Sequence, residues 1–339
     1  MTISIQHSTP RHFAKGEALY VSWMVARLVL PLMLFFAGQD CRAATPQQLL
    51  AAGQVDDAIP ALSDQLKASP NDAASHNLFC RAYYMIEDWD SGVPHCERAT
   101  ALDPANSLYF DWLGRIYGAK AEHSSFLSAA TLAKKVRLAF ERSVQLDPKN
   151  WEARVDLGEF YTEAPSIVGG GKDKARQQAD ALMSLNPAMG NWLLARIDEK
   201  NKDRAAAERH YRDAIAASHG GVRGWLDLGN FFFHAQRLDD MQQAFQHLEA
   251  APQDCPESLL YAAQLLYRAN RDYDLAIRLL RKYLAAPVEH GPAFKARDLL
   301  GQLLEKQGDR QGAAEQYQAA LTLWRGDAHA KKNLVRLQP

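Results

Sequence analysis

Two histidines and two cysteines in this sequence could do chemistry together. His76 and Cys80 are four residues apart, a spacing that places both on one face of a helix, and His95 and Cys96 are adjacent further along the chain. A zinc ion could use both thiolates and one imidazole. Neighbouring residues diverge by about 100° around a helix, so His95 and Cys96 cannot easily reach the same ion. Two buried thiols, a disulfide and a metal site all stay open, and the metal site is the interpretation that we do not expect.

A glycine-rich stretch, Gly169–Lys172, could bind an anion through free backbone N–H groups ahead of a helix. It is not a phosphate-binding loop, because Ser166 stands where that motif needs its first glycine and Asp173 follows the lysine. A tight turn is the simpler interpretation. The sequence also lacks the H-E-x-x-H, G-x-S-x-G and C-x-x-C patterns of common hydrolases and redox proteins. We therefore expect neither an enzyme nor a bound cofactor. The less favoured alternative is an enzyme, or an accessory subunit of one, that uses Gly169–Lys172 or the cluster of His76 and Cys80.

The overall charge excludes one class of partner. The 39 Lys and Arg against 40 Asp and Glu give a formal net charge of −1. No global field then draws the chain to nucleic acid or to an acidic membrane surface. Since 47% of the residues are hydrophobic and 23% are charged, the composition is that of a folded globular protein.

Helices must position these residues, because apolar side chains recur at helical spacing between short breaks that contain proline. The breaks are LKASPND, ALDPANS, QLDPKNW and SLNPAMG, around Pro70, Pro104, Pro148 and Pro187. The first two of these prolines are 34 residues apart. Such a period predicts an array of helical repeats.

One helix pattern recurs along the chain. Phe110, Leu113, Gly114 and Tyr117 stand at the spacing aromatic-x-x-Leu-Gly-x-x-Tyr. Full or partial versions occur at residues 76–83, 154–161, 225–232 and 297–304. A second pattern, a small residue followed four positions later by an aromatic, is clearest at Ala207/Tyr211 and Ala313/Tyr317. Together these patterns resemble the tetratricopeptide repeat family over nearly all of residues 45–339.

The resemblance implies an all-α fold, a right-handed superhelical solenoid of about seven to eight helix hairpins over residues 44–326, with a capping helix at 327–339. It implies that each repeat contacts only its neighbours. We further expect the small residue of each first helix to face the small residue of the second. The 34-residue register is broken by longer helices near 119–135 and by a projecting loop without helix at 163–172.

In this family the first helices of the hairpins line a concave groove that holds a protein or peptide ligand. The resemblance therefore predicts a non-enzymatic interaction scaffold, whose partner the sequence does not identify. The inward positions expected to contact that partner are Asn77, Arg81, Tyr84, Asp111, Arg115, Glu159, Trp192, Arg196, Asn230, Phe233 and Tyr261. Because their charges are mixed, they argue against a clamp for a C-terminal carboxylate.

The same alignment of repeats bears on the cysteines. Cys80 occupies the small position of one helix, and Cys96 occupies the large position of its partner helix. Their Cα atoms could then lie within the roughly 4.4–6.8 Å that a disulfide spans. Cys255, beside a proline in a turn, would remain as a spare thiol.

An N-terminal apolar segment indicates export. Residues 28–38 are apolar over 11 positions, whereas a membrane-spanning helix needs about 20. Translation from Met24 would give a signal peptide of normal form with cleavage between Ala43 and Ala44, which would make residues 1–23 upstream sequence.

The mature protein would then be periplasmic or secreted, with residues 1–43 outside the folded domain. The alternative is a membrane-tethered assembly factor of the cell envelope, in which residues 18–38 are kept as an anchor. A membrane contact is expected only in that case.

Overall fold

The structure is a computed structural model, and it describes residues 44–253, 255–286 and 292–337. The predicted signal segment, the alternative anchor and the alternative start at Met24 lie outside the described residues. The described residues form 17 α-helices and no strand. The helices are α1 (Pro46–Ala51), α2 (Val55–Ala68), α3 (Ala73–Met85), α4 (Trp89–Leu102), α5 (Ser107–Glu122), α6 (Phe126–Leu146), α7 (Trp151–Glu163), α8 (Lys172–Leu185), α9 (Pro187–Lys200), α10 (Arg204–Ala217), α11 (Val222–His234), α12 (Leu238–Ala250), α13 (Glu257–Ala269), α14 (Tyr273–Leu284), α15 (Ala293–Lys306), α16 (Arg310–Leu323) and α17 (Ala328–Leu337).

Consecutive helices pair as eight hairpins, from α1 with α2 to α15 with α16, and α17 packs on α16. The first helix of a hairpin also packs on the first helix of the next, as α7 does on α9 and α11 does on α13. The first helices therefore form one layer and the second helices another. This arrangement confirms the predicted all-α solenoid. Within the described ranges, none of the helices is long and apolar enough to cross a membrane.

Polar caps set where the first helices begin. The Asn186 side chain accepts a hydrogen bond from the backbone N–H of Met189 at 3.2 Å, and Pro187 takes the first helical position of α9. Asp72 and Asn150 cap α3 and α7 in the same way. Each cap satisfies an N–H group that has no partner within its helix. The proline-containing breaks therefore specify both the end of one hairpin and the start of the next.

Three glycines of the repeat pattern, Gly114, Gly229 and Gly301, pack against aromatic rings, whereas Gly158 packs against Leu193. A Cβ atom built at Gly114 would lie 2.4 Å from Phe140 Cε1, and one at Gly229 would lie 2.2 Å from Phe245 Cε1. The expectation that small residues face each other is therefore wrong. The ring of the second helix occupies the space that the glycine leaves, because a flat aromatic ring fills such a gap better than an alanine does.

The two predicted irregular segments differ in form. The first segment, near residues 119–135, lies in α5 and α6, which are long helices of 16 and 21 residues, as expected. The second contains a single 3₁₀ turn at Ser166–Val168, so the expectation of no helix there is corrected. Pro165 presets its φ of −59° for the turn, and Val168 N–H donates to Pro165 C=O at 3.1 Å. A single 3₁₀ turn needs few hydrogen bonds, and the glycines that follow it do not prevent these bonds from forming.

The two ends of the solenoid contact each other. The backbone N–H of Arg325 donates to Asp56 Oδ2 at 2.6 Å, and Lys295 forms an ion pair with Glu87. The first two hairpins thus contact the last hairpin and the turn after it, which corrects the expectation that each repeat contacts only its neighbours. The reason is geometric: a small rotation between successive repeats, added over eight hairpins, brings the last hairpin back to the first ones.

Candidate functional site

The first helices of six successive hairpins, from α3 to α13, enclose a cavity of about 770 Å³. Much of its wall is aromatic, and the aromatic side chains are Tyr84, Trp112, Trp151, Trp192, Tyr211 and Tyr261. Its charged lining residues are Arg115, Arg223, Glu152, Asp156, Asp227 and Glu257. Aromatic side chains and charged groups that converge on one cavity are typical of a ligand site.

One side of the cavity is built around Trp112. The Arg115 guanidinium lies 5.1 Å from the centre of the Trp112 ring and pairs with two carboxylates, Asp156 at 2.6 Å and Asp111 at 3.0 Å. The Arg81 guanidinium lies 5.2 Å from the same ring. These contacts fix the indole and the guanidinium groups in place before any ligand arrives.

Asp111 is a buried carboxyl group, with 2% of its side chain exposed. Burial and the nearby negative charge of Asp156 raise the pKa of Asp111 well above its usual range, and Arg115 only partly opposes this rise. Near neutral pH the folded protein therefore holds a proton on this carboxyl group. One proton shared between two carboxyl groups is the usual outcome when both lie beside a single cation.

The opposite side is built around Trp192. The Arg223 guanidinium lies 5.4 Å from the centre of the Trp192 ring, and Arg223 Nε lies 3.9 Å from Asp227 Oδ2. Burial raises the pKa of Asp227 to about 6, against the opposing effects of Arg223 and Trp192. The Trp192 indole N–H and the Asp227 carboxyl group interact with each other, but outside regular hydrogen-bond geometry, and Trp192 Nε1 and Asp227 Oδ2 are both buried. This side of the cavity therefore has unused hydrogen-bonding capacity.

Cys255 also lines the cavity, and it is the free cysteine of the described residues. Burial and the negative charge of Glu257 raise the pKa of its thiol. The thiol is then protonated at neutral pH, which makes it a poor nucleophile. A catalytic role for this residue is not favoured.

Four of the predicted groove residues line the cavity: Tyr84, Arg115, Trp192 and Tyr261. Three others, Asn77, Arg81 and Asp111, are buried in the helices α3 and α5 and are not part of the lining. The remaining four, Glu159, Arg196, Asn230 and Phe233, are half-buried and lie one to two turns further along their helices than the lining residues do.

Arg196 and Glu159 are engaged within the protein. Arg196 forms ion pairs with Glu163 at 3.0 Å, Glu199 at 3.2 Å and Glu159 at 3.6 Å. Burial raises the pKa of Glu159, and the charge of Arg196 opposes that rise. This network joins α7 to α9 and leaves Arg196 little capacity to bind a ligand.

Sequence reasoning missed several lining residues, chiefly Trp151, Asp156, Arg223, Asp227 and Glu257. They lie in the first two turns of their helices, about one to two turns before the positions chosen from the repeat pattern. The i, i+4 pair Arg223 and Asp227 was the available signal, because that spacing places both side chains on one helix face.

The histidine and cysteine cluster lies in the hairpin of α3 and α4. Cys80 and Cys96 have Cα atoms 5.1 Å apart, a separation that a disulfide spans. His76 Nδ1 lies 3.0 Å from His95 Nδ1, and the His95 ring stacks on Phe79 with 4.4 Å between ring centres. Burial lowers the pKa of His95. Across the part of the chain that the structure describes, no three His, Cys, Asp or Glu residues are grouped so that they could hold a metal ion.

The glycine-rich stretch has its N–H groups in use. Gly169 N–H donates to Ser166 C=O at 2.9 Å, Gly170 N–H to Pro165 C=O at 3.2 Å, and Gly171 N–H to Tyr161 C=O at 2.9 Å. These bonds hold the segment against the end of α7. The N–H groups of the three glycines are therefore paired within the protein, and a tight turn accounts for the segment.

Part of the chain matches a known family. The model of the tetratricopeptide repeat matches residues 47–107 and 261–328. These segments contain the first two hairpins and the last two, which also contact each other at the ends of the solenoid. No curated protein matches the chain.

Solved structures of similar chains include a subunit of the APC/C hetero-tetramer Cut9–Hcn1, with 13% identity and a TM-score of 0.40 over 86% of this chain and 54% of that one. A thermophilic TPR protein of Thermus thermophilus has 15% identity and a TM-score of 0.46 over 55% of this chain and 95% of that one. MamA has 15% identity and a TM-score of 0.35 over 59% and 96% of the two chains. The chain thus spans about half the length of the Cut9–Hcn1 subunit it matches.

Proposed function

We propose that this chain is a non-enzymatic scaffold that binds a peptide, or an extended segment of another protein, in the cavity enclosed by its first helices. The observation that supports this most is the cavity itself, about 770 Å³ in volume and walled by six aromatic side chains. Tryptophan, tyrosine and arginine are the residues that contribute most to binding at protein interfaces, and they are concentrated here. The match of two segments to the tetratricopeptide repeat supports the same proposal.

Photo-crosslinking tests this function. Tyr261 lines the cavity and is 46% exposed, so p-benzoylphenylalanine at that position would contact any occupant. Phe126, which is 86% exposed and does not line the cavity, is the matched control position. We expect discrete crosslinked products from position 261 and none from position 126. Trp151→Ala, which removes part of the wall, should abolish those products.

Equal crosslinking from both positions, or products from position 261 that survive Trp151→Ala, would contradict binding in the cavity. Circular dichroism of the Trp151→Ala variant separates loss of the ligand from loss of the fold.

We also propose that the mature protein is exported to the cell envelope after cleavage between Ala43 and Ala44. The short apolar segment followed by small residues supports this proposal. Mass spectrometry of the protein from fractionated cells is the test. A chain that begins at Ala44 in the soluble envelope fraction is the expected result, and a longer chain in the membrane fraction would favour the tethered alternative.

A further inference from the structure

We propose that the cavity recognises a positively charged side chain, a lysine or an arginine, presented by the bound peptide. This inference rests on the proposed function and specifies the chemistry of the partner. It depends on the charges of the lining, on the faces of the aromatic rings and on a buried carboxyl group whose own contacts are long.

The lining carries more negative than positive side chains. Four carboxylates, Glu152, Asp156, Asp227 and Glu257, face two arginines. Asp156, at 2.6 Å, offsets the charge of Arg115, and Asp111, at 3.0 Å, is the carboxyl group that holds a proton near neutral pH. Glu152 and Glu257 make no ion pair among the described residues, so the cavity keeps negative charge that a cationic ligand would offset.

The aromatic wall suits a cation. The protein already places a guanidinium 5.1 Å from the Trp112 ring centre and another 5.4 Å from that of Trp192. Trp151 and Tyr261 have no such cation over their rings within the described residues, and Tyr261 is 46% exposed. An ammonium or guanidinium group of a ligand would find the same kind of contact on these two rings.

Asp227 supplies a buried acceptor. Its side chain is 20% exposed, Arg223 Nε stands 3.9 Å from Oδ2, and the Trp192 indole N–H interacts with the same carboxyl group outside regular hydrogen-bond geometry. A carboxylate held only by such long contacts can still accept hydrogen bonds from a closer donor. A lysine or arginine side chain would bring several donors and a compensating charge. An acidic side chain would instead add repulsion from Glu152 and Glu257.

The test compares blocked nonapeptides that are identical except at the central residue, which is arginine, lysine, citrulline, leucine or glutamate. Citrulline keeps the shape of arginine and removes its charge. Binding to the full chain is measured by calorimetry. We expect the arginine and lysine peptides to bind about tenfold or more tightly than the citrulline peptide, because a charged hydrogen bond is lost in the latter.

Two variants remove cavity carboxylates singly, Asp227→Asn and Glu257→Gln. Each should weaken binding of the arginine peptide about tenfold and leave binding of the leucine peptide unchanged. Asp239→Asn is the control, because Asp239 is 84% exposed and does not line the cavity. Circular dichroism checks that each variant folds. If Asp227→Asn does not fold, Glu257→Gln alone still tests the inference.

Equal affinity for the arginine and citrulline peptides would overturn the inference, as would preference for the glutamate peptide or failure of all five to bind. The proposed function is judged separately. Specific crosslinking from position 261 together with any of those three results would leave a binding scaffold whose ligand is not basic.

Discussion

Two glycines one turn apart on α5 give opposite expectations for the same substitution. A Cβ atom at Gly114 would lie 2.4, 2.5 and 2.9 Å from three carbons of the Phe140 ring. Normal carbon contacts lie near 3.5 Å, so the ring would have to move by about 1 Å. At Gly118 an added Cβ meets nothing within 4 Å. Gly118→Ala therefore changes only the helix propensity, whereas Gly114→Ala also overpacks the hairpin.

The magnitudes follow from these contacts. Replacing a helical glycine with alanine stabilises by roughly 0.5–1 kcal/mol, and overpacking a core costs roughly 1–3 kcal/mol. We expect Gly114→Ala to lower the free energy of unfolding by about 0.5–2 kcal/mol and Gly118→Ala to raise it by about 0.5–1 kcal/mol. Urea unfolding followed by circular dichroism at fixed protein concentration measures both changes.

A second substitution identifies the cause. The Phe140→Leu background has no aromatic ring at this position, so Gly114→Ala should lower the free energy of unfolding by less there than in the parent chain. The difference between the two changes is the coupling free energy of the two sites. If Gly114→Ala and Gly118→Ala shift the urea midpoint in the same direction, the close packing of Gly114 on Phe140 is refuted.

Three further predictions concern backbone, protonation and thiols. Lys202 has a φ of 65°, and Lys202→Gly should raise the free energy of unfolding by about 0.5–1 kcal/mol in the same urea experiment, since glycine adopts that conformation without strain. Because the pKa of Asp111 is raised to about 8, this residue binds its proton more tightly in the folded than in the unfolded chain, so the free energy of unfolding should fall as the pH rises from about 4 to 8. In Asp111→Asn that part of the pH dependence should disappear, and an unchanged pH profile would contradict the prediction. Thiol counting on the unreduced, denatured mature protein should find one free thiol, Cys255, if Cys80 and Cys96 are oxidised, and reduction should cost about 3 kcal/mol; three free thiols would exclude the bridge.

The repeat architecture follows from short-range patterns, which is why the sequence predicts it. Leu113 and Gly114 specify a helix that another helix approaches closely, and Asn186 followed by Pro187 specifies where one helix begins. Such signals lie within a few residues of each other. The pairing of hairpins then has few alternatives.

The cavity depends on relations that no local pattern contains. Arg115 and Asp156 are 41 residues apart in sequence, yet their side chains are 2.6 Å apart. The repeat pattern gives the inward face of each helix, but the curvature of the whole array decides which turn of each helix borders the cavity. For that reason Tyr84 and Trp192 were found, while Arg223 and Asp227 were missed.

The contact between the ends of the solenoid has a kinetic and a thermodynamic consequence. Asp56 and the N–H of Arg325 are separated by 269 positions, so the entropy of closing that loop must be overcome before their contact contributes. The contact between the two ends of the solenoid is therefore expected to form late in folding, after the individual hairpins have formed.

Helix α1 has six residues, too few to be stable alone in water. Its residues Gln48 and Ala51, with Ala52 directly after it, border a second cavity together with residues of the last two hairpins. The protection of α1 amides against hydrogen exchange should therefore depend on a segment at the far end of the chain. In a solenoid whose ends do not touch, each end would open independently of the other. Here α1 is expected to become stable only after the last two hairpins have been synthesised and have folded against it.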